Sequence, residues 1–397
     1  MAMNQIYSIV NAAVKMGLGS EAIAVVDTGS FISAGNKVVS SDTNLDAVYG
    51  AFSELIMDTV FAIRARERKN RNLKRDVQTF GGFMRKVHYK ANSASKSSDW
   101  DMEHPDNPYE MTPTGEYIQK IFGDRGTWTY KGQYRRRQLA SAFRSEAEIE
   151  GFISGWITRM LNDVKAAEDA CDALCIATLI GAVILQGTEY QVRYILDEYN
   201  TMTSSNLAAT EASLMNLDFQ KFFSMNLAID IGRLGNETVL YNADGIPKHT
   251  PKDRLVVEVL DKEAKAADFY LQADTYHNEI VQLPGYNEVS YWQAPGNANF
   301  AFNDCSSIKI QNANIAVEGN ATGEVEMTGI IAVLRDYDAA ATLFEFQRDA
   351  DFYDNWNDAY NVKKVFDKGY GVDTAEQVVI YTIAHKSNPS QAPEVGE

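Results

Sequence analysis

Residues 145–186 read SEAEIEGFISGWITRMLNDVKAAEDACDALCIATLIGAVILQ, one helical pattern near the middle of the chain. Ser145 followed by Glu148 is a capping box, in which a hydroxyl and a carboxylate satisfy the first free amides of a helix. Ile149, Phe152, Ile153, Trp156, Ile157, Met160, Leu161 and Val164 then recur at the spacing of one helix face. Ala167, Cys171, Leu174, Thr178 and Leu179 continue it, and Glu146, Glu150, Arg159, Asp163, Lys165, Glu168 and Asp169 fill much of the other side. No proline interrupts the run, and Gly187 is a natural stop. Unbroken, it spans roughly 40 residues and on the order of 60 Å. Such a helix has to serve as a spine for other segments. Its least secure stretch lies beyond Ala173, where amphipathicity fades and Gly181 offers a place to bend.

The chain has 397 residues, 45% of them hydrophobic, enough for a sizeable core. Its formal net charge of −17 argues against a general nucleic-acid binder. The three cysteines, Cys171, Cys175 and Cys305, form neither a disulfide framework nor a zinc pattern, and read as small buried residues of a reducing compartment. The N-terminus lacks the basic and apolar regions of a secretory signal. The most apolar run, 173–185, is too short to span a bilayer. A soluble protein made in a cytoplasm is expected.

Before the spine, residues 4–16 are helix-like, 31–39 read as extended and 46–64 as a second helix, joined by glycines like an arm that runs over something else. The densest basic run follows: Arg64, Arg66, Arg68, Lys69, Arg71, Lys74 and Arg75. It fits nucleic-acid contact, a solvated helix end, or a patch that meets an acidic patch on another copy. The last two readings are favoured because no stacking aromatics interleave with it. From Val77 to Tyr134 the pattern weakens. Trp128, Tyr130 and Tyr134 alternate as in a half-buried strand, and Arg135, Arg136 and Arg137 close the excursion. So long a polar segment calls for external support, such as a partner chain. After the spine, 188–300 reads as mixed helix and strand and 305–385 mostly as strand. The polar tail from Lys386 has a disordered composition.

Motifs for chemistry are missing: there is no P-loop, dinucleotide fingerprint or nucleophile elbow. His88, His104, His249, His277 and His385 are scattered and fit surface or satisfied histidines better than metal ligands. Asp349, Asp351, Asp354 and Asp358 lack the glycine and terminal glutamate of a calcium loop, so a solvated or interface loop is favoured. Asp336 and Asp338 beside Arg335 could serve acid–base work, but charge at a strand end reads better. Neither catalytic nor metal nor cofactor-binding residues emerge, and no cofactor is expected.

The order of segments resembles the major capsid proteins of tailed bacteriophages, short-tailed ones in particular, with the α+β Hong Kong 97-like fold. Residues 140–161 (ASAFRSEAEIEGFISGWITRML) are similar to the approach to that family's spine helix. Residues 250–286 (TPKDRLVVEVLDKEAKAADFYLQADTYHNEIVQLPGY) are similar to its axial domain, and 329–338 (GIIAVLRDYD) with 378–383 (VVIYTI) to its closing strands. The resemblance implies an N-terminal arm at 1–62, an extended loop at 63–137, a peripheral domain at 138–187 and 301–397, and an axial domain at 188–300. It implies hexamers and pentamers that close an icosahedral head around double-stranded DNA, with no sequence-specific DNA binding and no membrane. A separate scaffolding protein, a portal and a decoration or head-fibre protein are the implied partners, and the basic and aromatic residues named above become candidates for contact between subunits. The implied location is the virion capsid, after synthesis in the host bacterial cytoplasm. A nanocompartment shell of the same fold and a carboxylate-based enzyme are the competing readings.

Overall fold

The computed structural model describes residues 11–12, 14–15, 33–34, 37–38, 72–74, 84–90, 117–122, 126–135, 146–274, 285–293, 300–311 and 324–386. The chain divides into two compact units. The smaller comprises 1–70, 125–170 and 343–368; the larger comprises 71–124, 171–342 and 369–397.

The described strands, in chain order, are β1 (Met84–Tyr89), β2 (Tyr117–Phe122), β3 (Gly126–Arg135), β4 (Val192–Tyr194), β5 (Leu255–Leu260), β6 (Asn287–Val289), β7 (Ile308–Gln311), β8 (Glu324–Met327), β9 (Ile330–Asp336), β10 (Ala340–Asp354), β11 (Ala359–Val372) and β12 (Val378–Thr382). The helices are α1 (Glu146–Gln186), α2 (Ile195–Thr203), α3 (Leu217–Leu234), α4 (Asp261–Asp274) and the single turn α5 (Phe302–Cys305).

The spine helix is continuous: α1 runs over 41 residues without a break. Two different environments explain this. Over 162–170 it is mostly exposed, with Val164 buried. From Asp172 to Val183 nearly every side chain is buried, and Leu174 is the exception at 42% exposure. The loss of amphipathicity past Ala173 therefore marks burial on all sides rather than a bend. Gly187 ends the helix where expected. Its amide donates to the Val183 carbonyl at 2.7 Å, and a Cβ there would lie 2.3 Å from that same oxygen. The capping box and the side chains of 146–158 lie outside the described set.

In the smaller unit β10, β11 and β3 form one antiparallel sheet in that order along 343–368 and 126–135. Val164, Phe344 and Phe366 form its core with Tyr130 packed alongside, and the Tyr130 ring stands edge-on to Phe366 at 5.4 Å. Residues 33–34 and 37–38, expected to be extended, are helical. Ala34 and Val38 are both buried one turn apart, as on one face of a helix.

The larger unit is built on a five-stranded mixed sheet, β4-β12-β9-β5-β6. Every residue of the central strands β9 and β12 is buried. Strands covered on both faces need continuous apolar runs, as Ile330–Leu334 and Val378–Ile380 provide. The C-terminal stretch of α1 and the α3 residues Phe219, Phe223 and Leu227 complete this core. The sheet draws β4, β5 and β6 from 188–300 and β9 and β12 from 301–397. Helix α3 is capped by Asn216, whose side chain accepts from the Phe219 amide at 3.1 Å.

Three buried ionisable side chains stand out in this core. Arg335 of β9 meets Glu258 of β5 at 3.4 Å, both fully buried. Glu263 of α4 is fully buried, and only a weak interaction with the Gln220 side chain offsets that burial. Desolvation raises its pKa from 4.5 to about 8, so it is held protonated at neutral pH. The unfolded chain releases that proton first, so stability falls as pH rises from about 4.5 and levels off above about 8. At pH 7 the penalty is on the order of 3 kcal/mol. Urea unfolding of Glu263→Gln, compared with wild type at pH 5 and pH 8, should lose most of this pH slope and show a higher midpoint at pH 8; an unchanged slope would place the titration elsewhere.

Candidate interaction surface on the first hairpin

Strands β1 and β2, MRKVHY and YIQKIF, pair antiparallel from Met84↔Phe122 to Tyr89↔Tyr117. Side chains alternate across a strand, so each sequence supplies two faces. One face carries Lys86, His88, Ile118, Lys120 and Phe122; the other carries Arg85, Val87, Tyr89, Tyr117, Gln119 and Ile121. Burial is inverted relative to ordinary amphipathicity. The face with the charges is the covered one, and His88 is 2% exposed. Tyr89, Tyr117 and Ile121 stand 73%, 63% and 58% exposed.

The covered face rests on the turn that follows β11. Lys86 Nζ lies 2.7 Å from Asp373 Oδ2 and 2.7 Å from Glu376 Oε1. His88 Nε2 lies 2.8 Å from the same Asp373 oxygen. Lys120 Nζ donates to Asp244 at 2.6 Å and to Thr374 Oγ1 at 2.9 Å, and lies 3.2 Å from Asp373 Oδ1. Lys248 Nζ reaches Glu376 at 3.1 Å. Phe122 fills the space above Gly371, where a Cβ would meet the ring at 2.9 Å. The turn is fixed from within, because Asp373 Oδ1 accepts from the Ala375 amide at 3.0 Å.

Three ammonium groups thus face three carboxylates, with His88 among them. Burial alone would raise the Asp373 pKa, but the hydrogen bond from His88 and the Lys86 and Lys120 charges hold its carboxyl well below the usual range. Burial works to lower the Lys86 ammonium, but Asp373 and Glu376 together push it above its ordinary value. The ligand atoms of His88, Asp373 and Glu376 lie within 4.8 Å of one another, close enough for a metal ion. The Lys86 ammonium already bridges both carboxylates, so the chain supplies its own cation there. The arrangement acts as a lock between hairpin and turn.

The other residues singled out from sequence fall elsewhere. Arg64, Arg66, Arg68, Lys69, Arg71, Arg75, Arg136 and Arg137 lie outside the described residues. Lys74 is exposed in the larger unit, bridging to Thr342, next to Leu73, which is buried in the core. Trp128, Tyr130 and Arg135 lie on β3 in the smaller unit. The Lys368 ammonium stands 4.6 Å from the Trp128 ring and 5.2 Å from Tyr130, a cation–π contact within the unit. Arg135 is exposed opposite Ala359. Asp336 and Asp338 are a turn cap: Asp336 Oδ1 accepts from the Asp338 amide at 2.8 Å, and both carboxylates face Arg254. His385 meets Asp197 at 2.6 Å. No described helix is long and apolar enough to cross a membrane. Sequence reasoning missed Lys86, Lys120, Asp373 and Glu376, and read His88 only as a surface or satisfied histidine, the second of which it is. The available signal was two six-residue alternating runs inside the segment read as irregular.

Breaking the lock should free the hairpin without unfolding the core. Asp373→Asn should cost on the order of 3 kcal/mol locally by leaving buried ammonium groups underpaired. Hydrogen exchange should then accelerate across 84–89 and 117–122 and stay slow in β9 and β12. Because the Asp373 pKa is depressed, wild-type protection should persist at pH 5 and be lost only as pH falls well below about 4. Protection lost first near pH 6 would contradict this.

No curated protein sequence matches this chain. Solved structures do. A chain from the capsid of Staphylococcus phage Andhra superposes with a TM-score of 0.50 at 9% identity, covering 80% of this chain and 84% of that one. A chain from the structure of the head fibre and inner core protein gp22 of native bacteriophage P68 gives 0.50 at 11% identity, covering 80% and 85%. Identities this low show the fold alone, and the α+β capsid fold expected from sequence is the one shared. The family model for Phi29-like phage major capsid proteins matches residues 10–382. The chain belongs to the Phi29-like phage major capsid protein family and is a capsid-forming shell protein of the virion.

Proposed function

We propose that copies of this protein join as hexamers and pentamers into an icosahedral head around packaged double-stranded DNA, and that 63–137 is the loop that reaches a neighbouring copy. The carrying observation is the inverted hairpin. A two-stranded ribbon is marginal alone in water. This one is held by charges on its covered face and shows Val87, Tyr89, Tyr117 and Ile121 to solvent. A largely apolar, exposed face on a pinned hairpin is suited to an interface.

In this reading 1–62 is an arm, 138–187 with most of 301–397 is the peripheral domain, and 188–300 is the axial domain. The strands 330–336 and 378–382 go with the axial segment, since they share its sheet. The role is structural, without catalysis: Asp336 and Asp338, the one carboxylate pair weighed for acid–base work, serve a turn. A net charge of −17 keeps the shell from gripping the genome tightly. A separate scaffolding protein, a portal and a decoration or head-fibre protein complete the head, and synthesis takes place in the host bacterial cytoplasm.

Co-expression with a candidate scaffolding protein, followed by electron microscopy, tests the reading. Wild type should give closed particles. Replacing both Tyr89 and Tyr117 by Ser should lower particle yield by roughly tenfold or more, the effect of about 1.4 kcal/mol or more at each contact. The melting temperature of the unassembled chain should change little. A wild type that stays monomeric with its scaffold, or a double variant that assembles fully, would contradict it.

A further inference from the structure

We propose that the tip of the β10–β11 hairpin docks, through Trp356, on the outer face of the β1–β2 hairpin of a second copy. This rests on the shell reading above and names what covers that face.

The tip spans Asp354 to Ala359. Trp356 is 98% exposed, and Phe352 beside it is also largely exposed. An indole left wholly in water on a mobile loop would mean little, but this turn is built. Asp354 accepts from the amides of Trp356 and Asn357 and from the Asn357 side chain at 2.6 Å. Asp358 adopts φ 46°, and its carboxylate accepts from the Tyr353 hydroxyl at 2.5 Å. Rigid aromatics presented at little entropic cost are what dominate interface energies.

Charge selects the occupant. Between 349 and 360 the hairpin holds Asp349, Asp351, Asp354 and Asp358 and no lysine or arginine. The outer face of β1–β2 holds Arg85 and no acidic residue. Both patches combine aromatic or aliphatic side chains with charge, and the charges are opposite. A tip facing a tip would bring acids together, and a face against a face would oppose the arginines. Tip on face pairs opposite charges and sets a cation beside an indole. Two different complementary patches on one chain make a head-to-tail contact, the kind that closes rings.

Single-cysteine additions test this in particles. Trp356→Cys and Tyr117→Cys alter exposed side chains, and the three native cysteines give a background that wild type measures. Differently tagged copies of the two variants are co-assembled with scaffold and mildly oxidised. The expected result is a disulfide-linked dimer carrying both tags, well above either variant alone, and dependent on assembly. Mixed particles without that dimer would overturn the proposal and leave the shell reading standing. A bond that closes within single unassembled chains of the double variant would also overturn it, by making the same copy the occupant. Absence of particles from unsubstituted protein would remove the shell reading and the proposal with it. As a second measurement, Trp356→Ala and Arg85→Glu should each lower particle yield several-fold and together cost much less than their product. Fully multiplicative losses would count against contact between the two.

Discussion

The β1–β2 hairpin stays on its subunit because Lys86, His88 and Lys120 find Asp373, Glu376 and Asp244. Everything distinctive about the surface follows from that polar seat. An ordinary surface ribbon buries its apolar side and wets its charges. Here the carboxylates of a rigid turn take the charged side, and the apolar side is left over. The desolvation cost of so many charges is offset only because they alternate in sign at 2.6 to 3.2 Å and share hydrogen bonds. Specificity, more than stability, is what such a network supplies: a one-residue slip of either strand would send Lys86, His88 or Lys120 to the wrong face.

The larger unit gives the lock a firm base. Asp373 and Glu376 lie between β11 and β12, and β12 is wholly buried in the five-stranded sheet. The Asp373 amide donates to Ala339 and the Val378 amide to Tyr241, so the turn's backbone is tied down on both sides. The C-terminal stretch of α1 packs into the same core. A helix stretch buried on nearly every side is unusual for a surface element and natural for one enclosed by a sheet and other helices.

How much was legible depended on how local the signal was. The spine helix, β5, β9 and β12 announce themselves through uninterrupted periodicity or apolar runs, and they form as read. Helix α1 also survives where its pattern fades, since the fading reflects burial. The hairpin was harder. MRKVHY and YIQKIF are too short to stand out, and their alternation points the wrong way, because the residues that would be assigned to solvent are the buried ones. Nothing local in Lys86 or Asp373 reveals a partner more than 280 positions away. The acidic run after Asp349 was read as a loop, yet β10 continues to Asp354; cross-strand pairing overrides the low strand propensity of aspartate. The basic run, the largest sequence signal for a site, falls mostly outside the described residues, and Lys74 within it sits beside a buried leucine.

The decisive question for the shell is whether the outer face of the first hairpin meets another copy. Hydroxyl-radical footprinting of Tyr89 and Tyr117, compared between unassembled chain and closed particles, reads this directly. Both tyrosines should be strongly oxidised in the free chain and protected several-fold in particles, while an exposed residue away from the hairpin, such as Met202, serves as reference. Equal oxidation of both tyrosines in the two states would contradict the account.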